Sequence, residues 1–573
     1  MILNGNPVSP GIAIAKAFHY IPFVPEINTE TVDPYKSKEE LEAFRKALKE
    51  SQKELEAVIE RLKAAQDEKY KIFEAHIDIA NDEVMNEEIE ALINDEHCTA
   101  LSAAEAIYNQ YIEVLRSSKD KLISERAADL KDVKKRVQRN LLGIKESNIS
   151  TLPESVIIIA HDLLPSDTAT LDKDHVSGII TEIGGTTSHT AIIAREYGIP
   201  AIVGVKDVLK SLTNGEIIAM DAAAGIIESH LTDETIASYK NKQKAFFEEK
   251  LEAEQYLHKD GLTAEGVRIE IGANVGGKND DIAACASFTD LIGLYRTEFL
   301  YMSSSTLPDE ETQFEAYKKA LVAYGDRPVT LRTLDVGGDK TLPCLPLPKE
   351  DNPFLGNRAL RLCFSKPEIF RTQLRAALRA SVYGNLWIML PMVGSLDDVR
   401  GAKAILEDVK TELTAEGIPY NPGVKLGIMI EIPSIAMMAD IVAKEVDFAS
   451  IGTNDLCQYT LAVDRINPAV SSYYQSYHPA LFRLIGYAVD QFNKNDKPIC
   501  VCGELGGDVL AAPVLIGLGM RKLSMSASSV AKIKKVLSKH TIKEMEELAD
   551  NVKASATAEE AKKYMLELQG GDK

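Results

Sequence analysis

Eight short strand-like runs alternate with helical patterns between residues 268 and 526, and no other feature constrains the fold as much. The runs are RIEIGANV (268–275), LIGLYRTE (291–298), PVTLRTLDVG (328–337), LWIMLPMV (386–393), KLGIMIEIP (425–433), DFASIGTND (447–455), PICVCGE (498–504) and KLSMS (522–526). Segments between them, such as PDEETQFEAYKKALVAYG and LDDVRGAKAILEDVKTEL, space apolar residues three and four apart. That is the period of an amphipathic helix. Strands separated by helices pair in parallel. Eight such units predict a C-terminal (β/α)8 TIM barrel, with a doubly wound open sheet as the alternative.

Active sites of such barrels lie at the C-terminal ends of the strands. Here those ends are polar. The second run ends in Arg296, Thr297 and Glu298, and the third carries Arg332 and Asp335. The fifth ends in Glu431, the sixth in Asn454 and Asp455, and the seventh in Cys502, Gly503 and Glu504. Arg358 and Arg465 follow the third and sixth runs. Guanidinium groups present planar forks to carboxylate and phosphate. Glu431 and Asp455 offer hard oxygen ligands for Mg²⁺. The mouth therefore suits a small phospho-carboxylate. A thiol, with a pKa near ~8.5, is protonated at neutral pH and can hand a proton to carbon. Without the neighbouring residues, a buried core cysteine is the favoured reading of Cys502.

The first half of the chain is built differently. Residues 35–143 are rich in Glu, Lys, Ala and Leu at helical spacing, with breaks near 81 and 95–101. These predict several packed helices rather than one coiled-coil arm. Residues 155–230 switch to β-type runs: SVIIIA, GIITE, PAIVGV and GEIIAMDAAAGII. Within them GGTTSHTAIIAR (184–195) places His189 at a strand-to-helix turn. Free N–H groups and a partial positive charge at a helix start favour an anion. A polar cap with an incidental histidine fits the same pattern. Residues 232–258 are charged, lack Gly and Pro, and predict one linking helix.

The net charge of −21 argues against nucleic acid as a partner. The N-terminus MILNGNPVSPGIAIAK shows no signal peptide, and no apolar run approaches membrane-spanning length. Seven scattered cysteines fit a reducing cytoplasm.

The motifs together carry a resemblance over nearly the whole chain. SPGIAIAKAF, FEAHIDIANDE, ERAADLKDVKKRV, GGTTSHTAIIAR, GLYRTEFLYM, RTLDVGGDK, NPFLGNRALR, EIPS, IGTNDLCQYTLAVDR, YHPA and VCGELGGD occur in this order. The chain resembles Enzyme I of the bacterial phosphotransferase system, the phosphoenolpyruvate–protein phosphotransferases. The resemblance implies a multidomain α/β protein that moves a phosphoryl group from phosphoenolpyruvate to its own histidine. From there it passes to the histidine-containing phosphocarrier protein HPr, and pyruvate is released. It implies that His189 is the phosphoryl acceptor and that Thr168 orients its ring. Arg296, Arg332, Asn454, Asp455 and Arg465 would bind phosphoenolpyruvate, helped by Arg358 and Lys340. Glu431 and Asp455 would hold Mg²⁺, with Mn²⁺ as a substitute, and Cys502 would be the proton donor. Residues 1–22 with 144–230 would form the mixed α/β phosphohistidine domain. The inserted helical bundle, 23–143, would dock the carrier, and 231–261 would link to the barrel. The barrel, 262–573, would bind phosphoenolpyruvate and pair two subunits as a homodimer.

Some positions depart from the family pattern: Tyr295, Asn357 beside Arg358, Cys457, Ile466 after Arg465, and Leu505-Gly506 after Glu504. None removes a chemical group the reaction needs. Pyruvate phosphate dikinases and phosphoenolpyruvate synthases share the histidine domain and barrel. They would need an ATP-binding region, and this sequence has no G-x-x-x-x-G-K-[ST] loop. A nitrogen-regulatory paralogue would carry a further N-terminal sensory domain, whereas this sequence opens at the SPG segment. A signalling scaffold with a dead barrel would have lost one of His189, Arg296, Glu431, Asp455 or Cys502, and all are present.

Overall fold

The computed structural model describes residues 1–21, 31–64, 70–116, 121–144, 154–163, 174–184, 189–276, 280–302, 306–337 and 350–570, with a few short stretches between them. The chain divides into two compact units, Met1–Phe246 and Phe247–Lys573.

The first unit holds an eight-stranded mixed sheet. Its strands are β1 (Ile2–Asn4), β2 (Asn6–Ser9), β3 (Ile12–Tyr20), β4 (Val156–Ala160), β5 (Val176–Thr181), β6 (Ala201–Val203), β7 (Ile217–Asp221) and β8 (Ile226–Glu228). They run in the order β1-β8-β7-β3-β4-β5-β6-β2. Strands β3 to β6 are parallel, and the outer pairs are antiparallel. In β4 every residue is buried. Val156, Ile158 and Ala160 enter one core, whereas Ile157 and Ile159 enter the other. A strand covered on both faces reads as one continuous apolar run, which is what VIIIA is.

Between β3 and β4 the described residues form five α-helices: Ser37–Ala64, Tyr70–Ala80, Glu83–Asp95, Ala100–Arg116 and Lys121–Leu141. The sequence breaks near 81 and 95–101 fall where helices stop. Asp82 starts the third, its carboxylate accepting from the Met85 N–H at 2.8 Å. Met85, Ile89 and Ile93 then recur every fourth residue and are buried. They join Phe44, Tyr108, Val133 and Val137 in a core of their own. The charged pattern after the sheet forms one helix, Asp233–Glu254.

The second unit is a closed parallel barrel. Its strands are β9 (Glu270–Val275), β10 (Leu291–Tyr295), β11 (Pro328–Arg332), β12 (Asn385–Leu390), β13 (Lys425–Ile430), β14 (Phe448–Ile451), β15 (Ile499–Val501) and β16 (Lys522–Met525). Strand β16 pairs with β9 and closes the ring. The barrel form therefore holds, and the open sheet does not. Period-2 alternation divides each strand: Trp387 and Met389 share a cluster with Leu294, Met429, Phe448 and Cys502. Ile388 and Leu390 face the helical layer instead. The helices are stopped and started locally. Ser395 and Asp398, for instance, form a reciprocal capping box on Leu396–Ala415. Among the described residues no helix is long and apolar enough to cross a membrane.

Two C-terminal helices, Ile542–Ala554 and Ala558–Leu568, follow the barrel. The first presses on the helix Ala511–Gly517, where a Cβ on Gly517 would lie 1.9 Å from the Met545 carbonyl oxygen. A backbone atom cannot move aside as a flexible side chain would. Gly517→Ala should therefore destabilise the barrel unit by roughly 1–3 kcal/mol, read as a lower thermal midpoint. An unchanged midpoint would show that the two helices are not held this closely.

Candidate active site

The strands end earlier than the polar motifs that follow them. Arg296, Thr297 and Glu298 come after Tyr295, and Glu431 follows Ile430. Asn454 and Asp455 lie in the first turn of the helix Thr453–Leu461. These polar residues thus stand at the barrel rim, just past the strands, while Arg332 is itself the last residue of β11.

Two buried arginines organise this rim. Arg332 Nη1 lies 2.9 Å from Asp335 Oδ2, and its Nη2 pairs with Glu298. Arg358 Nη2 lies 2.8 Å from Asp335 Oδ1 and 3.4 Å from Asp455 Oδ2. Asp335 thus bridges two guanidinium groups. Burial alone would weaken their hold on a proton, but Glu298, Asp335 and Glu431 outweigh it at Arg332. Asp335, Asp455 and Glu431 do the same at Arg358. Arg358 Nη1 also meets the Tyr459 hydroxyl at 3.3 Å, and that hydroxyl donates to the Phe354 carbonyl at 2.6 Å. The Nε atoms of Arg332 and Arg358 are buried and have no hydrogen-bond partner among the described residues.

Glu431 is 1% exposed. Its Oε1 accepts from the Met392 N–H at 2.5 Å, and Met392 adopts a φ of 55° to aim that N–H. Burial pushes the Glu431 carboxyl up to about 8, and the negative charges of Asp455 and Asp335 add to this. Gly452 lets the chain pass close by: a Cβ there would lie 3.0 Å from Glu431 Oε2. Asp455 Oδ1 is buried with no hydrogen-bond partner among the described residues, and Arg465 Nη2 approaches it at 3.7 Å. Two repelling carboxylates, one with an unused oxygen, fit a divalent cation. Among the described residues no group of three or more His, Cys, Asp or Glu could hold a metal. Two carboxylates suit Mg²⁺, which keeps several waters and takes substrate oxygens.

Cys502 follows β15 and is buried. Burial pushes its thiol up to about 11, although Ser450, Arg332 and Arg296 pull the other way. The thiol is therefore fully protonated at neutral pH. Its carbonyl accepts from Asn274 Nδ2 at 2.9 Å, and Asn274 Oδ1 accepts from Ser524 at 2.7 Å. Gly503 allows this turn to meet the next loop, since a Cβ there would fall 1.9 Å from Thr453 Oγ1. Asn454 Oδ1 accepts from the Glu504 N–H at 3.3 Å. Arg296 is exposed; Gly276 leaves room for it, since a Cβ there would meet its Cβ at 2.4 Å.

Three family models match in order along the chain. They are the N-terminal domain of PEP-utilising enzymes over residues 4–126, the mobile domain over 152–225, and the PEP-binding domain over 250–542. The phosphoenolpyruvate-protein phosphotransferase of Staphylococcus carnosus is 44% identical over 559 residues, covering 97% of each chain. That of Listeria monocytogenes is equally similar over the same length. The chain belongs to the phosphoenolpyruvate-protein phosphotransferase family. It is accordingly a transferase of phosphoenolpyruvate-dependent phosphotransfer. A solution NMR structure of Enzyme I (nEIt) protein is 43% identical in sequence; it covers 43% of this chain and 99% of its own, with a TM-score of 0.36.

Within this phosphotransferase the second unit gathers Arg332, Arg358, Asp455 and Arg465 through ion pairs, with Glu431 in electrostatic reach of them and Asn454 and Cys502 on neighbouring turns. His189 opens the helix His189–Tyr197 in the first unit. Thr168 and Lys340 lie outside the described residues. Sequence reasoning gave no role to Tyr459, Asn274 or the Met392 N–H. Asn274 had a signal, being an amide at an inward position of an apolar strand. The unusual residues sit off the chemistry. The Tyr295 ring packs edge-on against Phe299 and Tyr317. Cys457 is buried, Ile466 is exposed, and Asn357 Nδ2 donates to Ser365.

The double role of Asp335 is testable. Removing one partner of a buried ion pair typically costs about 3–5 kcal/mol. Asp335→Ala should lose about that much in urea unfolding followed by Trp387, the only tryptophan. Breaking the exposed Arg268–Asp290 pair should cost less than about 1 kcal/mol. Equal losses would contradict the bridging role.

Proposed function

We propose that the enzyme takes the phosphoryl group of phosphoenolpyruvate onto Nε2 of His189. It then passes the group to a histidine of the phosphocarrier protein HPr and releases pyruvate. The observation that carries this reading is the rim of the barrel: two buried guanidinium groups bridged by Asp335, beside the carboxylates Glu431 and Asp455. That arrangement matches a ligand bearing both a carboxylate and a phosphate.

The residues would divide the work as follows. Arg332, Arg358, Arg465 and Arg296, with Asn454 and Lys340, bind and orient the anionic groups. Phosphoryl transfer needs positioning and charge neutralisation above all. Glu431 and Asp455 would hold Mg²⁺, or Mn²⁺ in its place; bound metal supplies further neutralisation of the transferring group. His189, neutral and oriented by Thr168, offers the ring nitrogen lone pair to phosphorus as the P–O bond to the enol oxygen breaks. The electron pair left on that oxygen makes the enolate of pyruvate. Its C3 takes the proton of the Cys502 thiol; a C–H bond forms, the S–H bond breaks, and the sulfur keeps the pair. The thiolate regains a proton from water after pyruvate leaves. The start of the helix 189–197 favours the anion that His189 would carry.

His189 and the rim belong to different compact units, so the reading requires them to meet for the first transfer and part for the second. Residues 1–22 and 144–230 are proposed as the phosphohistidine domain and 23–143 as the docking module for the carrier. Residues 231–261 are the proposed link, and 262–573 the barrel through which two copies pair. Free cysteines at all seven positions support a cytoplasmic setting.

With labelled phosphoenolpyruvate and Mg²⁺ but no ATP, the protein should acquire an acid-labile label on His189, and His189→Ala should abolish it. An acid-stable label, or one that survives in the variant, would overturn the assignment.

A further inference from the structure

Among the hydroxyls inside the barrel that the reading above does not use is that of Ser450. Ser450 is the third residue of β14 and pairs in register with Cys500 on β15. Paired residues in a parallel ladder point to the same face, and residues two apart share it. Phe448, two before Ser450, and Cys502, two after Cys500, both lie in the inward cluster. Ser450 therefore points into the barrel between two sulfurs, Cys500 at its own level and Cys502 one step nearer the rim. Gly293 makes room in the same interior for Ser524, since a Cβ there would lie 2.3 Å from the Ser524 Cβ, and it would stand 3.6 Å from Cys500 Sγ, an ordinary contact. Ser450 is 1% exposed, and its Oγ has no hydrogen-bond partner among the described residues. A buried hydroxyl without such a partner is costly, and an explanation is owed.

The sulfurs provide one. Thiol and thioether sulfur accept only weak hydrogen bonds, whereas a thiolate accepts a strong, charge-assisted one. The Ser450 hydroxyl opposes the effect of burial on both Cys502 and Cys500. Cys500 lies a full strand step below the rim, away from any substrate. Cys502 is the sulfur that would turn anionic.

We infer that Ser450 is a positioning residue for Cys502, whose hydroxyl aims the thiol at the substrate carbon and donates to the thiolate formed when the proton leaves. This rests on the reading of Cys502 as proton donor. The hydroxyl keeps its own proton throughout; the S–H bond alone breaks, and water restores it after pyruvate departs. A hydrogen bond made in the transition state to a charge that was absent in the ground state accelerates the step it serves.

The test is a double-mutant cycle on the full chain. Rapid mixing follows phosphorylation of His189 by phosphoenolpyruvate and, separately, phosphate return from His189 to the carrier. Ser450→Ala should slow the first by roughly tenfold or more, the worth of a hydrogen bond to a charged group. It should leave the second alone, and Ser450→Thr, which keeps the hydroxyl, should restore most of the rate. In a Cys502→Ala background the Ser450→Ala change should cost nothing further, because a residue acting through the thiol has no thiol left. A further slowing in that background, slowing of both half-reactions, or no slowing in the single variant would each overturn the inference. A Cys502→Ala protein that still takes phosphate from phosphoenolpyruvate at full rate would instead remove the Cys502 reading beneath it.

Discussion

The rim of the barrel depends on Asp335. A single buried carboxylate bridges Arg332 and Arg358, and the two guanidinium groups in turn approach Glu298 and Asp455. Burying this much charge is expensive unless every member is paired. The pairing is unequal by design of the geometry: the outer nitrogens are engaged, while the two Nε atoms are left without hydrogen-bond partners among the described residues. The cost of holding them is met by the surrounding fold, which the closed barrel and its large core make possible.

The same economy governs the carboxylates. Glu431 is held by one backbone N–H that exists because Met392 adopts a left-handed conformation. Such strain persists only where the surroundings enforce it. Gly452 and Gly503 then bring the turns after β14 and β15 close enough for Asp455 and Cys502 to share the rim with Glu431. Backbone strain, absent Cβ atoms and paired arginines act together here, and each is unremarkable alone.

The barrel was legible in sequence because alternating periods of two and 3.6 leave little choice for eight consecutive units. The charged rim was legible because polar residues at strand ends have no packing role to explain them. The limits of the strands were not. DFASIGTND reads as one run, yet the ladder ends at Ile451. The Gly452 N–H still bonds to the Ile430 carbonyl, and its own carbonyl begins a helix. Only that reversal places Asn454 and Asp455 on the first helical turn. Nor does sequence reveal that residues 1–20 supply three strands, with β1 and β2 at opposite edges of one sheet. Long-range pairing leaves no periodic trace. The bridge from Asp335 to Arg358 was hidden for the same reason, since it depends on where an intervening loop returns.

The central claim is that guanidinium groups fixed by buried acids form the phosphoenolpyruvate site. Calorimetric titration of phosphoenolpyruvate into a His189→Ala protein with Mg²⁺ measures binding without turnover. Adding Arg332→Lys keeps the positive charge but removes the planar fork, and the account predicts that affinity falls by about tenfold or more. Unchanged affinity in a variant that remains folded would contradict it.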